Sequence, residues 1–363
     1  MSINRVYHTS VQQLRQLHPT ERITRVRGLA SLMAGILYAK SVQLALVALA
    51  IPGRATERSI VRRLERLLDN AALRVRPFYE PIARAWLLSQ ARSSGQIRLI
   101  IDTTKVSFAH RLVMVALAFR RRAIPIAWTW QPGAKGHCSA RVQLALLAAI
   151  RDLLPPHVPV TLVGDSEFEA GEVQAQLDAW GWYYVLRQKA NNRVQAVDGQ
   201  DWQAFGRLLE RAGQHVWLRG ARLTRRHKRP VNLLAEWARG EKEAWLLATN
   251  LPSRRATLQA YRRRMWIEEL FGDLKGHGFD LERSHLRQVA RLSRLTLAVV
   301  LLYDWLIVSA TQVIKRGLRR QVDRNDRRDL SIFQIGLRWI CRCLKNAHPF
   351  TLRFVPLGLQ TVG

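Results

Sequence analysis

The sequence predicts an α/β protein, with a sheet-forming middle flanked by helices. Three observations carry that prediction. Residues 1–95 space their apolar side chains as helices do and show no strand-like alternation. Residues 96–190 alternate short β-branched runs with amphipathic stretches, the pattern of a sheet covered by helices. Residues 250–312 return to two helices, one amphipathic and one apolar almost all round.

In chain order, residues 1–95 interleave arginine with leucine, as in "RSIVRRLERLLDNAALRVR", and are expected to form a basic helical N-terminal domain that binds DNA. "QIRLIIDTTKV" is a β-branched run that reaches Asp102, and "RLVMVALAF" and "RAIPIAWTW" follow as two more strands, with a polar break at 120–122 that fits a hairpin. A helix over about 140–154 leads through Pro155 and Pro156 into "HVPVTLVGDSEF", a buried strand ending at Asp165. A helix over 169–180 and the strand "WYYVLRQK" complete an order βββαβαβ. Residues 191–249 lose that rhythm and are expected to form a β-rich insertion. "LTLAVVLLYDWLIVSATQVI", residues 295–314, is nearly long enough to cross a bilayer. Asp304 in its middle would cost about 3 kcal/mol there, so a buried helix is expected and no membrane partner. A basic helical C-terminal region, 313–363, ends the chain.

Composition narrows the function. The 363 residues are 48% hydrophobic and 23% charged, which fits a globular chain of more than one unit and argues against disorder. A net charge of +31 calls for a polyanionic partner such as nucleic acid. Cys138, Cys341 and Cys343 are too few for a disulfide framework, and no secretory signal is read, so a cytoplasmic, nucleoid-associated location is expected. The sequence holds no Gly-rich loop ending in Gly-Lys-Ser/Thr, no dinucleotide fingerprint and no Gly-x-Ser-x-Gly elbow. ATP is therefore not expected as an energy source.

Within this cationic chain, "YRRRMWIEELFGDLKG", residues 261–276, carries two adjacent glutamates. On one straight helix Tyr261, Arg264, Glu268 and Lys275 would project at about 0°, −60°, −20° and −40°, one outward polar face. Trp266, Ile267, Leu270 and Leu274 would fall at about 140–240°, an apolar stripe for docking. A solvated helix surface with an Arg264/Glu268 pair is the plain reading of such a face. Asp102 and Asp165 alter the balance, because each follows an apolar strand, where α/β sheets expose functional groups. With Glu268 they make three carboxylates that could converge, the ligand set a pair of Mg2+ ions needs.

The Tyr-x2-Arg-x3-Glu-x6-Lys spacing of Tyr261, Arg264, Glu268 and Lys275 meets in full the signature of the DDE transposases of bacterial insertion-sequence family four. The chain resembles that family over about residues 95–310, through "IIDTTKV", "GDSEF", "YYVLRQK" and "WLLATNL". The resemblance implies a ribonuclease-H-like catalytic core built from 96–190 and 250–312, interrupted by the insertion at 191–249. It implies that Asp102, Asp165 and Glu268 are catalytic and bind two Mg2+ ions, for which Mn2+ substitutes. Tyr261, Arg264 and Lys275 would hold backbone phosphates, with Arg187 and Lys189 as a further basic pair. Trp245 would stack on a base flipped out while a hairpin forms on the transposon end. The implied partners are double-stranded DNA, as transposon ends and target, and a second copy of the chain in a synaptic homodimer. A core-filling role for Trp245 and a solvated strand end at Arg187 and Lys189 remain the plain alternatives. Ser166 follows Asp165, where the transposon-five branch of the family carries Arg, a departure that bears on strand handling. A non-catalytic or decayed nucleic-acid-binding protein is the alternative function, distinguished by salt-dependent DNA binding without metal-dependent cutting.

Overall fold

The computed structural model describes residues 2–106, 110–133, 137–224, 229–324 and 326–355. Five helices come first: α1 (Ser2–Leu17), α2 (Ile23–Ala39), α3 (Leu44–Ala50), α4 (Glu57–Asp69) and α5 (Val75–Ser94). The apolar spacing in α4 buries Ile60, Leu64, Leu67 and Leu68 on one side and leaves Arg58, Arg62, Arg63 and Arg66 in solvent. Thr56 caps this helix, its hydroxyl accepting from Ser59 N.

The sheet begins with three antiparallel strands, β1 (Ile97–Lys105), β2 (His110–Phe119) and β3 (Arg122–Pro132). Arg120 and Arg121 turn the β2–β3 hairpin at φ 46° and 63°, the left-handed pair a two-residue hairpin loop requires. After α6 (Ala140–Arg151), β4 (Val160–Gly164) lies parallel to β1; after α7 (Gly171–Ala179), β5 (Tyr183–Arg187) lies parallel to β4. All five strands form where the sequence places them. They read as near-continuous apolar runs because both faces of this part of the sheet are covered.

The stretch after β5 continues the same sheet. β6 (Arg193–Gln195), β7 (Gln203–Ala204), β8 (His215–Leu223), β9 (Arg229–Glu236) and β10 (Trp245–Thr249) extend it, with β10 pairing directly to β5. The order across ten strands is β3-β2-β1-β4-β5-β10-β9-β8-β6-β7. Val194, Phe205, Leu223, Leu233 and Leu246 pack into an apolar cluster separate from the main core, so these strands share a sheet with the core while burying their own centre.

Residues 261–276 depart from the single helix expected. α8 (Arg254–Tyr261) ends at Tyr261, a 3-10 turn covers Arg262–Arg264, and α9 (Met265–Leu274) follows, with Lys275 outside it as the C-cap. The physical reason lies in the wheel itself. Tyr261 and Leu270 would stand about 180° apart on a straight helix, so only one could face the sheet. Tighter 3-10 winding over three residues, with about 120° per residue, brings the two about 60° closer round the axis. Tyr261 and Leu270 are accordingly both buried, which corrects the outward orientation expected for Tyr261.

α10 (Val289–Lys315) and α11 (Ile332–Lys345) close the core. α10 is long and apolar enough to cross a membrane, yet residues 295–311 within it are buried inside the protein, as Asp304 suggested. Gly336 of α11 lies so close to α10 that an added Cβ would collide with the Leu306 carbonyl oxygen. Arg294 of α10 donates to Leu68 O at 2.7 Å, in the last turn of α4, and to Leu73 O at 3.1 Å, in the loop before α5.

Candidate active site

The site begins with two neighbouring strand ends. β1 and β4 run parallel in a register that pairs Ile101 with Gly164, so Asp102 and Asp165 occupy the next position on each strand. Strands so paired lie about 4.8 Å apart and successive residues alternate faces, which puts both carboxylates on one side of the sheet. Gly164 sits where no side chain fits: an added Cβ would lie 2.9 Å from Ile101 Cγ2 and 3.2 Å from Leu186 Cδ2. Asp102 Oδ1 accepts from Thr103 N at 2.7 Å, and Asp165 Oδ1 accepts from Glu167 N at 2.9 Å, capping a 3-10 turn over Ser166–Phe168.

The other two elements arrive from above. Arg264, in the 3-10 turn, donates from Nη1 to Asp102 Oδ2 at 3.0 Å and from Nη2 to Glu268 Oε1. One guanidinium thus joins two of the three acids. Asp102 is only 6% exposed, whereas the Glu268 side chain is 44% exposed, so one acid forms the floor and the other the rim. Burial, and next the charge of Asp165, push the Asp102 carboxyl up to about 7; Arg264 opposes both.

Tyr261 lies beside this cluster with its hydroxyl buried and without a hydrogen-bond partner among the described residues. Burial pushes it up to about 12. The Trp245 ring meets it edge-on, with centroids 5.1 Å apart at 73°. The sequence-predicted cations are each held by an acid. Lys275 Nζ donates to Lys105 O at 2.6 Å, at the end of β1, and lies 2.9 Å from Glu282 Oε1. Arg187 Nη2 is 2.9 Å from Glu243 Oε2, and Lys189 Nζ is 2.9 Å from Glu169 Oε1.

The expected gathering is therefore organised around a guanidinium. Among the described residues, no three His, Cys, Asp or Glu side chains stand as a closed metal-ligand group. The donor chemistry nevertheless suits a hard divalent cation: three carboxylates, two on adjacent strands, with a positive group already bridging two of them.

Sequence reasoning missed the supports of the site. Glu167 accepts from Cys138 N at 2.6 Å and lies 3.4 Å from Arg111 Nη1, bracing the turn after Asp165. Arg122, at the start of β3, lies 2.9 Å from Glu269 Oε2 and 3.2 Å from Asp273 Oδ2, holding α9 from the side opposite Glu268. The doubled glutamate at 268–269 was the available signal, one acid for each face of the helix.

Residues 95–305 match the family described as "Transposase DDE domain". Among solved structures, the chain is similar to a cryo-EM structure of the piggyBac transposase synaptic complex with hairpin DNA. That likeness has 11% sequence identity and a TM-score of 0.46, and covers 99% of this chain and 84% of that one. No curated protein matches the chain.

Proposed function

The chain belongs to the transposase DDE domain family, and from that premise we propose that it is a cut-and-paste DNA transposase of insertion-sequence family four, acting on the terminal inverted repeats of its own element. The observation that carries the reading is the bridge from Arg264 to Asp102 and Glu268, with Asp165 beside Asp102 on the next parallel strand. The strand order β3-β2-β1-β4-β5, with β1, β4 and β5 parallel, supports a ribonuclease-H-like core.

Transposases with this domain generally use divalent metal ions, and Asp102, Asp165 and Glu268 would hold Mg2+, or Mn2+ in its stead. When bound, such ions supply Lewis acidity to the scissile phosphate and lower the pKa of an attacking water. The chain's own residues do the rest. Once released from Asp102 and Glu268, Arg264 would offer two parallel N–H donors to a backbone phosphate, a geometry Lys cannot copy. Lys275, next to the end of β1, and Arg187 and Lys189, at the end of β5, would hold phosphates on either side. Tyr261 walls the site and orients Trp245. Trp245, partly exposed at the start of β10, presents a ring on which a flipped base can stack, worth about 1–3 kcal/mol, and so supports a hairpin on the transposon end. A homodimer holding two DNA ends completes the proposal.

Purified protein, Mg2+ and a duplex carrying the element's inverted repeats test it. Double-strand breaks are expected, lost in Asp102→Ala, Asp165→Ala and Glu268→Ala. Cleavage unchanged in all three rejects the site, and salt-dependent binding without cutting marks a non-catalytic relative. On denaturing gels the hairpin route predicts a double-length strand; ends open from the start rule it out.

A further inference from the structure

A cationic cavity lies on the same face of the sheet as the carboxylates. Along β1 the side chains of Arg98, Ile100 and Asp102 share that face, so Arg98 lies four residues from Asp102, or about 13 Å. Arg98 pairs in register with Thr161 of β4. Over them stand Gln259 of α8 and Arg263 of the 3-10 turn, and together these residues line a cavity of about 180 Å³.

Its charge is unusual for a half-buried cavity. Two guanidinium groups line it, and no carboxylate does. Neither Arg98 nor Arg263 forms an ion pair among the described residues; Arg263 Nη1 donates to the Gln259 carbonyl, and its guanidinium carbon lies 6.0 Å from the Trp266 ring centroid. Burial lowers both guanidinium groups, and the charge of Arg263 lowers Arg98 further. The arrangement contrasts with Arg264, Arg187, Lys189 and Lys275, each of which is paired with an acid. Two half-buried like charges facing one space are stabilised by an anion between them, because each guanidinium then gains a charge-assisted partner.

We infer that the cavity between β1, β4 and α8 is a phosphate site, with Arg98 and Arg263 as its cationic walls and Gln96, Thr161 and Gln259 as neutral hydrogen-bonding groups. Its size selects the ligand. Pockets for small organic ligands begin at about 300 Å³, so a nucleoside is excluded while one phosphate group with a few waters fits. The phosphate is either a backbone group of bound DNA or free inorganic phosphate. The first source rests on the transposase reading: a strand at Asp102 reaches Arg98 within a few nucleotides, with one phosphate per about 3.4 Å of duplex axis. The second stands without it.

The test uses the full chain as wild type, Arg98→Gln, Arg263→Gln and the exposed control Arg207→Gln. Duplex binding is titrated against salt, and melting is recorded in sodium phosphate and in sodium chloride at equal ionic strength. If the source is DNA, each cavity variant weakens duplex binding about fivefold or more and lowers the salt slope by about one, while the control behaves as wild type. If it is free phosphate, phosphate raises the wild-type Tm by several degrees and neither cavity variant responds. Wild-type behaviour of both variants in both assays overturns the inference, as does failure of both to fold, which would mark the arginines as structural. A wild type that binds no duplex counts against the transposase reading, and the melting arm still decides the cavity.

Discussion

Arg264 and Asp102, 162 residues apart in sequence, meet through a 3.0 Å hydrogen bond from Nη1 to Oδ2 at the centre of the site. The guanidinium also bonds Glu268, so it stands where a divalent ion shared by these two acids would be drawn. A cation that binds both carboxylates must first displace it.

Arg264→Ala should therefore bind Mn2+ about tenfold more tightly than wild type in the absence of DNA, a gain of about 1.4 kcal/mol. The same variant should bind duplex more weakly. Calorimetric titration of Mn2+ at pH 8 measures the first effect, and equal or weaker Mn2+ binding would show that guanidinium and ion do not compete.

Gly164, the residue before Asp165, has no room for a side chain: an added Cβ would meet Ile101 Cγ2 at 2.9 Å and Phe168 Cβ at 3.2 Å. Overpacking of this kind costs about 1–3 kcal/mol. Gly164→Ala should lower Tm and reduce cleavage by more than the fall in folded fraction, because the strand ends are forced apart. A variant with lowered Tm but full cleavage per folded molecule would separate the spacing from the chemistry.

The parts of this protein legible in its sequence are those set by local chemistry. "IRLII", "RLVMVALAF" and "VTLVG" announce strands because β-branched apolar residues fit a surface covered on both faces. Asp102 and Asp165 stand out because nothing apolar follows them directly in those strands. What stayed hidden is set over long range. "WLLAT" has the composition of a strand in any sheet, so its pairing with β5 could not be read from it. The break after Tyr261 follows from a competition for the sheet between two side chains that local spacing treats separately. The acids facing Arg187, Lys189 and Lys275 lie 56, 20 and 7 residues away, with no pattern linking them.

Asp304 offers a pH test. Tyr79 has one hydroxyl proton, yet its oxygen lies 2.8 Å from Pro125 O and 2.7 Å from Asp304 Oδ2. Both contacts are favourable when Asp304 is protonated and donates to Tyr79, which in turn donates to Pro125 O. Complete burial holds this carboxyl well above the usual carboxylate range, in keeping with that assignment. Its proton is retained in the folded state and released on unfolding above about pH 4. Stability from this group is thus fully present below pH 4 and is lost as pH rises towards its folded value, by about 1.4 kcal/mol per unit. Asp304→Asn, which keeps a donor for Tyr79, should melt higher than wild type at pH 8, with the gap closing towards pH 4. Parallel melting curves across that range would exclude the protonated pair.

Arg122 gives the most direct test of how Glu268 is positioned. Its guanidinium is held by Asp273, which is 3% exposed, and by Glu269 on the next turn towards the N-terminus of α9. Burial raises the Asp273 carboxyl to about 7, and Arg122 is the positive group that opposes the rise. Arg122→Ala would leave a buried acid without its counterion, a loss that grows as pH rises above about 7, where the carboxyl would have to stay ionised. That loss should be smaller at pH 5, where Asp273 takes up a proton and needs no counterion. Asp273→Asn added to Arg122→Ala should restore part of the Tm by removing the stranded charge. Cleavage should remain low in the double variant, because α9 is still unanchored and Glu268 moves with it. Recovery of Tm and cleavage together would mean that Arg122 serves stability alone.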